Sequence, residues 1–497
     1  MEWLRSRILA ETNLDHLLNL ASFYGGIRAA NFDGIYHDDE IEQHVADTIL
    51  NDDTFQVPVI AGTNQGTVLI ASELYDAGGH SRVVLNWLKS FHEEHNHRLL
   101  ITRSVTKRFE DSLKANGYSY HLCSTQGIEL VTEIIKYCED AQRIVLHIHP
   151  DDIISATAAK YLASAGRDII FYNHADHIFS YGISSASVVC EVSSYGIALN
   201  RRTKRARRSC YLGIPIDISS PKKSDEAHES PRQTQVVLTC GASYKYKPSA
   251  IFFGDFIDRL LLQRPDLIIV LVGPTGREAW WGNTVKRWGD SVRFLGELPH
   301  DQYAEALASA AVYVDSFPIP GGTAFPEALL NGKQVAGLQN PLQGYTPADE
   351  LRVDNVEGLA RRVMDLLGDD TIAKKDMERT KIEATEAHSL NAFRNRVLAI
   401  YAGKCDACPW ERLVNVDTYW LETKWKASTE IQAESTRIFY LPLSFCLIFL
   451  ARVCRFHKFP RYKFAAFAIN RLILRVLPRS LRNHLIRLRE TSLKLGR

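Results

Sequence analysis

Between Asp315 and Gly332 the chain reads DSFPIPGGTAFPEALLNG, and the chemistry of that stretch lies in Gly321, Gly322, Thr323 and Glu327. A helix that begins with small residues offers unpaired N–H groups and the positive end of its peptide dipoles, which suits an anion such as phosphate. An ordinary strand-to-helix turn would use the same Gly and Thr for capping alone. Upstream, GASYKYKPSAI puts Lys245 and Lys247 in a loop after an apolar run, where a cation could meet the same anion. A second glycine pair, Gly78 and Gly79, precedes His80 in YDAGGHSRVV. The segment DIIFYNHADHIFSYG adds His174, Asp176 and His177 just beyond a strand pattern. A histidine that titrates near neutrality can take a proton from a hydroxyl, and a carboxylate beside it can orient the ring. His147 and His149 in HIHPDD are further candidates, but a metal site there lacks a third and fourth ligand.

The elements that must hold these residues follow from periodicity. Residues 1–60 read as helical and acidic. GTVLIASEL is a β-branched run of buried-strand type, and it leads into an amphipathic helix with Val83, Val84, Trp87, Leu88 and Phe91 on one side. Strand patterns at HRLLITRS, RIVLHIHP, RDIIFYNH and SASVVCEV alternate with helical ones such as IELVTEIIKYCED. SSPKKSDEAHESPRQT at 219–234 has linker composition, after which alternation restarts at QVVLTCGAS and runs through DLIIVLVGP, SVRFLGEL, AAVYVDSF and KQVAGL. Strands alternating with helices predict parallel sheets covered on both faces. The reading is therefore α/β: a helical segment at 1–60, a Rossmann-like doubly wound domain at 61–218, a linker at 219–234, a second such domain at 235–403, and a helical basic extension at 404–497.

A chain of 497 residues has ample material for separate cores. Its net charge of +1 conceals an uneven distribution, because residues 452–497 hold 13 Lys/Arg and one acid, Glu490, leaving 46 basic and 57 acidic residues elsewhere. The apolar run IFYLPLSFCLIFLA at 438–451 is interrupted by Pro442 and is shorter than the roughly 20 residues a membrane-spanning helix needs. The arginine-rich, aliphatic tail beyond it suits a helix lying on an anionic membrane surface. Nine scattered cysteines and an N-terminus without a signal-peptide pattern read as a reduced, cytoplasmic protein, with Cys405 and Cys408 as incidental thiols. The run RRTKRARR at 201–208 has no aromatic-interleaved surface, so it reads as a solvated or membrane-facing loop and not as a nucleic-acid site.

AGGHSRV lacks the GxGxxG spacing, and no acid follows at the distance a dinucleotide unit requires, so a nicotinamide cofactor is a weak reading. GGHSRVV instead resembles the first Gly-rich loop of GT-B glycosyltransferases. VRFLGELPHDQYAEALASAAVYVDSFPIPGGTAFPEALLNGKQVAGL resembles the donor half of that fold, most of all in the O-linked N-acetylglucosamine transferase group, and ASYKYKPSAI resembles that group's Tyr-Lys-x-x-Pro loop. The likeness covers mainly residues 235–345. It implies that Lys245, with Lys247 as its neighbour, meets a nucleoside diphosphate together with Gly321, Gly322 and Thr323, and that Glu327 accepts hydrogen bonds from ribose hydroxyls. It also implies a nucleotide-sugar substrate, with UDP expected, and no metal or other cofactor. Gly78, Gly79 and His80 would approach the donor across the cleft.

In one respect the sequence departs from the retaining enzymes of this fold, which carry a second glutamate eight positions before the first; here that position is Ile319. The resemblance thus favours inversion, with His174, Asp176 or His177 as the base. The acceptor implied is a glycan or lipid-linked hydroxyl at the inner face of a membrane, as in surface-polysaccharide or lipopolysaccharide assembly. A protein Ser/Thr acceptor is disfavoured, since no repeat array of about 34 residues is present. A UDP-sugar epimerase, and a silent glycan-binding or membrane-anchoring module, are the other readings.

Overall fold

The computed structural model describes residues 1–218 and 235–405 apart from short internal segments (32–33, 54, 56–65, 77, 95 and 369–370), and beyond them 407, 408, 410, 445, 448 and 449. The expected linker at 219–234 and nearly all of the basic extension lie outside the described residues.

Three helices come first, α1 (Glu2–Leu9), α2 (Leu14–Ala30) and α3 (Asp39–Leu50). Asn13 and Asp38 cap the second and third by accepting the amides of His16 and Ile41, as side-chain oxygens at that position do. The first sheet then forms from β1 (Thr67–Leu74), β2 (His97–Val105), β3 (Tyr120–Leu122), β4 (Arg143–His147), β5 (Asp168–Asn173), β6 (Val188–Glu191) and β7 (Ser209–Tyr211). The helices between them are α4 (Gly79–Ser90), α5 (Lys107–Ala115), α6 (Gly127–Tyr137), α7 (Ile153–Ser164) and α8 (Ser194–Thr203). All pairs are parallel, and the strand order is β3-β2-β1-β4-β5-β6-β7. Such strands are buried on both faces, which is why β1 is buried along its whole length and its stretch 68–71 is apolar without alternation.

The second sheet repeats the plan with β8 (Val236–Cys240), β9 (Ile268–Val272), β10 (Val292–Gly296), β11 (Val312–Val314), β12 (Gln334–Leu338) and β13 (Arg352–Val353), in the order β10-β9-β8-β11-β12-β13. Its helices are α9 (Phe253–Gln263), α10 (Gly282–Trp288), α11 (His300–Ser309), α12 (Ala324–Leu330), α13 (Val356–Leu367) and α14 (Thr371–His388). Helix α15 (Leu390–Tyr401) crosses back to the first domain. There Phe393 packs edge-on to Trp87 of α4 with ring centroids 5.1 Å apart, and Arg143 lies 4.4 Å over the Tyr401 ring.

Two large hydrophobic cores result among the described residues. One joins α4 and a face of the first sheet to the second domain, and the other seats α1–α3 on the opposite face of the first sheet. Phe445 and Phe449, from the apolar run at 438–451, are buried in that second core, Phe445 stacked on Trp3 at 5.2 Å and Phe449 edge-on to Phe23 at 5.0 Å. Among the described residues no helix is long and apolar enough to cross a membrane.

Two expectations are corrected here. The run at 201–208 is not a solvated loop throughout: Arg205 is buried, and its guanidinium donates to both carboxylate oxygens of buried Glu191 at 2.8 and 2.9 Å and to the carbonyl of Asp176. A buried carboxylate requires a counter-charge, and this arginine supplies it. Arg208 donates to the Lys404 carbonyl at 3.1 Å. Nor are the cysteines all free thiols, because Cys210 on β7 is bonded to Cys405, with Cα atoms 5.2 Å apart. Cys408 is buried beside Trp410 and Tyr211.

Candidate active site

In a doubly wound sheet, ligands bind beyond the C-terminal strand ends where the strand order reverses. Here those places are β1/β4 in the first sheet and β8/β11 in the second. Gly78–His80 follow β1, His147 ends β4, Lys245 follows β8 and Asp315 follows β11, so both reversal points carry the singled-out residues. The two meet directly. A Cβ built on Gly79 would lie 3.0 Å from the Thr323 hydroxyl oxygen, so α4 and α12 approach each other start to start. Gly78, just before α4, has φ +108°, a conformation that favours glycine.

On the second-domain side, fully buried Asp315 organises the turn. Its carboxylate accepts from the Ser316 amide at 2.9 Å, the Gly321 amide at 3.0 and 3.1 Å, and Arg352 at 2.8 Å, while Arg352 also donates to Asp349 at 2.6 Å. The Gly321 amide is therefore committed to Asp315 and is not available to a phosphate. A Cβ built on Gly322 would lie 3.5 Å from the Tyr345 ring. The Lys245 ammonium donates to the Pro320 carbonyl at 2.9 Å, which places it beside the Gly-Gly-Thr turn. Burial pushes its pKa below the usual lysine range, and Asp315 opposes that shift. Lys247, by contrast, is exposed.

Glu327 is buried, and both of its oxygens are taken by Arg82 of α4, Nη1 donating to Oε2 at 2.7 Å and Nη2 to Oε1. Arg82 was not among the residues expected at the site. A signal for it existed: a cation in the first turn of a helix opposes the macrodipole, so an arginine kept there calls for an anion from elsewhere. The Cys240 thiol, at the end of β8, is pushed up to about 12 by burial first and by the charge of Glu327 second, with Lys245 and Arg82 acting the other way. These charged groups thus share one neighbourhood.

On the first-domain side, four histidines gather at the strand ends. His174 stacks on His80 with centroids 4.1 Å apart, its Nε2 lies 2.9 Å from His147 Nδ1, and His149 meets His80 edge-on at 5.3 Å. Burial pushes His80 and His174 well below the usual imidazole range, and His147 down to about 3, so all three are neutral near pH 7. His147 is fully buried, whereas His174 and His80 keep partial exposure. Among the described residues the Nε2 atoms of His80 and His147 have no hydrogen-bond partner.

Asp176 is placed differently. It is fully buried at the domain junction, where its carboxylate accepts from Ser193 and from Tyr345 of the second domain at 3.4 Å, and it lies 3.2 Å from His177 Nδ1. Asp176 therefore holds the junction, while partly exposed His177 sits at its edge. The structure thus sets Gly79 beside Thr323, pairs Glu327 with Arg82 of the same helix as Gly79 and His80, stacks His174 on His80, and places Lys245 beside the turn that leads to Thr323.

Elsewhere among the described residues, His121, Cys123 and Glu133 converge closely enough to share a metal ion. Glu133 is already used by His121 at 2.8 Å and by the Thr125 amide at 3.1 Å.

No family model matches this chain, and no curated protein does. Solved structures do. The Anabaena protein HepE in complex with UDP and glucose is 15% identical, with 67% of this chain and 99% of that one covered, at a TM-score of 0.53. Sucrose-phosphate synthase from Thermosynechococcus elongatus is 15% identical over 68% and 99%, at 0.51. An O-GlcNAc transferase variant from Thermobaculum terrenum is 14% identical over 77% and 76%, at 0.50. The fold is GT-B: two parallel-sheet domains of Rossmann type facing each other across a cleft.

Proposed function

We propose that this chain is a glycosyltransferase that moves a sugar from a nucleoside diphosphate, UDP being the expected one, to an acceptor hydroxyl. The observation that carries the reading is the meeting of the two strand-order reversal points, with Lys245 and Glu327 on one side and partly exposed His174 on the other. The complex of HepE with UDP and glucose, on the same fold, supports it.

In the transfer, the acceptor oxygen loses its proton to a neutral histidine, for which His174 is the choice, and forms a bond to the anomeric carbon. The bond from that carbon to the diphosphate oxygen breaks, and the electron pair leaves with the diphosphate. Negative charge grows on that leaving group, and a fixed ammonium such as Lys245 lowers the barrier by being in place before the charge develops. Glu327 takes the ribose hydroxyls. Isoleucine at 319 and a base on the opposite domain favour inversion. For an acceptor at a membrane surface, as in surface-glycan assembly, the support is the sequence of residues 452–497, because Phe445 and Phe449 of the preceding run are spent on packing.

The test is a thermal-shift comparison of UDP, GDP, ADP and CMP against the full chain, Lys245→Ala and Glu327→Ala. A ligand that binds only the folded chain raises Tm. A rise with UDP that both variants lose supports the donor site. No rise with any of the four would overturn it.

A further inference from the structure

The Arg82–Glu327 ion pair has features that a purely structural link does not require. It joins the two domains near the two reversal points, and it is a two-pronged contact between a guanidinium with 22% of its side chain exposed and a carboxylate with 4%. Arg82 lies in the first turn of α4, one turn beyond Gly79, which touches Thr323; Glu327 lies one turn beyond Thr323. The pair therefore stands immediately behind the contact between the two Gly-rich turns.

This arrangement conflicts with nucleotide binding unless something moves. A ribose diol needs the oxygens of Glu327, and both are occupied. Separating the pair would leave a buried carboxylate and a largely buried guanidinium without partners, and uncompensated buried charges are costly. The diol solves half of the problem, because two hydroxyls satisfy the carboxylate by hydrogen bonds without bringing any charge. The displaced guanidinium still needs an anion, and the same ligand carries one. Two of the acids on the second-domain side are already engaged: Arg352 is shared by Asp315 and Asp349, and Asp315 also faces Lys245.

Resting on the donor-site reading above, we infer that Arg82 changes partner during donor binding. In the empty chain it neutralises Glu327 and fastens the two domains; when a nucleoside diphosphate enters, Glu327 passes to the ribose and the guanidinium passes to the diphosphate, where two-pronged recognition of phosphate suits arginine. Arg82 then sets selectivity by phosphorylation state. A nucleoside must break the ion pair and offers nothing in return, whereas a nucleoside diphosphate replaces it.

The experiment is isothermal titration of the full chain, wild type and Arg82→Ala, with uridine and with UDP as probes. Expected is a change in opposite directions: Arg82→Ala binds uridine about tenfold more tightly, because Glu327 is free, and UDP about tenfold more weakly, because a charged hydrogen-bonding partner is gone. Arg82→Gln, which can still hydrogen-bond Glu327, serves if the alanine variant does not fold, and it should move the ratio of the two affinities the same way. An unchanged ratio in both variants overturns the exchange of partners. Equal tightening of uridine and UDP also overturns it, by showing a lock with no role in holding the diphosphate. If wild type binds UDP and the ratio stays fixed, only the role of Arg82 falls; if wild type binds no nucleoside diphosphate, the donor-site reading and this inference fall together.

Discussion

Lys245→Met tests the site where its charge should matter most. The side chain is replaced by an apolar one of similar length, so the packing beside Gly241 is roughly kept and the ammonium is lost. That ammonium makes a hydrogen bond to the Pro320 carbonyl, and the buried acid near it, Asp315, already has Arg352. One or two charge-assisted bonds to phosphate oxygens, each worth about 1.5–3 kcal/mol, imply a loss of UDP affinity of about 10- to 100-fold or more. Uridine, which has no phosphate, should lose little. The pH dependence gives a second handle. Burial lowers the pKa of Lys245 in the empty chain, and a bound diphosphate raises it again, so UDP binding takes up protons once the pH approaches the lowered value, and affinity falls as pH rises through it. Calorimetry in buffers of different ionisation enthalpy reads that uptake directly. The reasoning is refuted if Lys245→Met, folded as judged by its melting curve, binds UDP and uridine with the wild-type ratio.

Other consequences concern the base and the frame. His174→Ala should lower kcat by about 10²–10⁴ while leaving UDP affinity near wild type, as removal of a general base does; equal loss of binding would argue for a structural role. Since burial depresses the His174 pKa, the base form persists as pH falls, and the acid limb of the rate profile should lie well below 6.5, with a limb at or above that value counting against His174. Arg352→Ala leaves Asp315 and Asp349 buried without their cation and should destabilise the chain by about 3–5 kcal/mol in denaturant melts. Gly196→Ala would put a methyl group 2.4 Å from a Glu191 oxygen and 3.0 Å from an Asp176 oxygen, so a clear drop in Tm is expected, and an unchanged Tm would show that this buried charge cluster can yield.

Much of the scaffold could be read from the chain because buried parallel strands announce themselves as continuous apolar runs. QVVLTCGAS, DLIIVLVGP and KQVAGL became β8, β9 and β12. The three-residue strands β3 and β7 could not be read that way, being too short to show a period, and β3 is besides only partly buried. The Gly-rich turns, Lys245 and Glu327 stood out because their residue types sit where a strand gives way to a helix, and a local backbone requirement leaves a local trace. What each of those groups touches was decided by tertiary structure alone. The Gly321 amide is claimed by a carboxylate six residues earlier, Arg205 leaves an exposed-looking basic run to neutralise Glu191, and Arg82 reaches Glu327 across 245 positions of sequence. The physical reason is the same in each case. Sequence patterning reports the periodic cost of exposing apolar surface, whereas a buried charge is governed by whichever opposite charge the packed domains bring within hydrogen-bonding distance, and that distance exists only once the chain has folded.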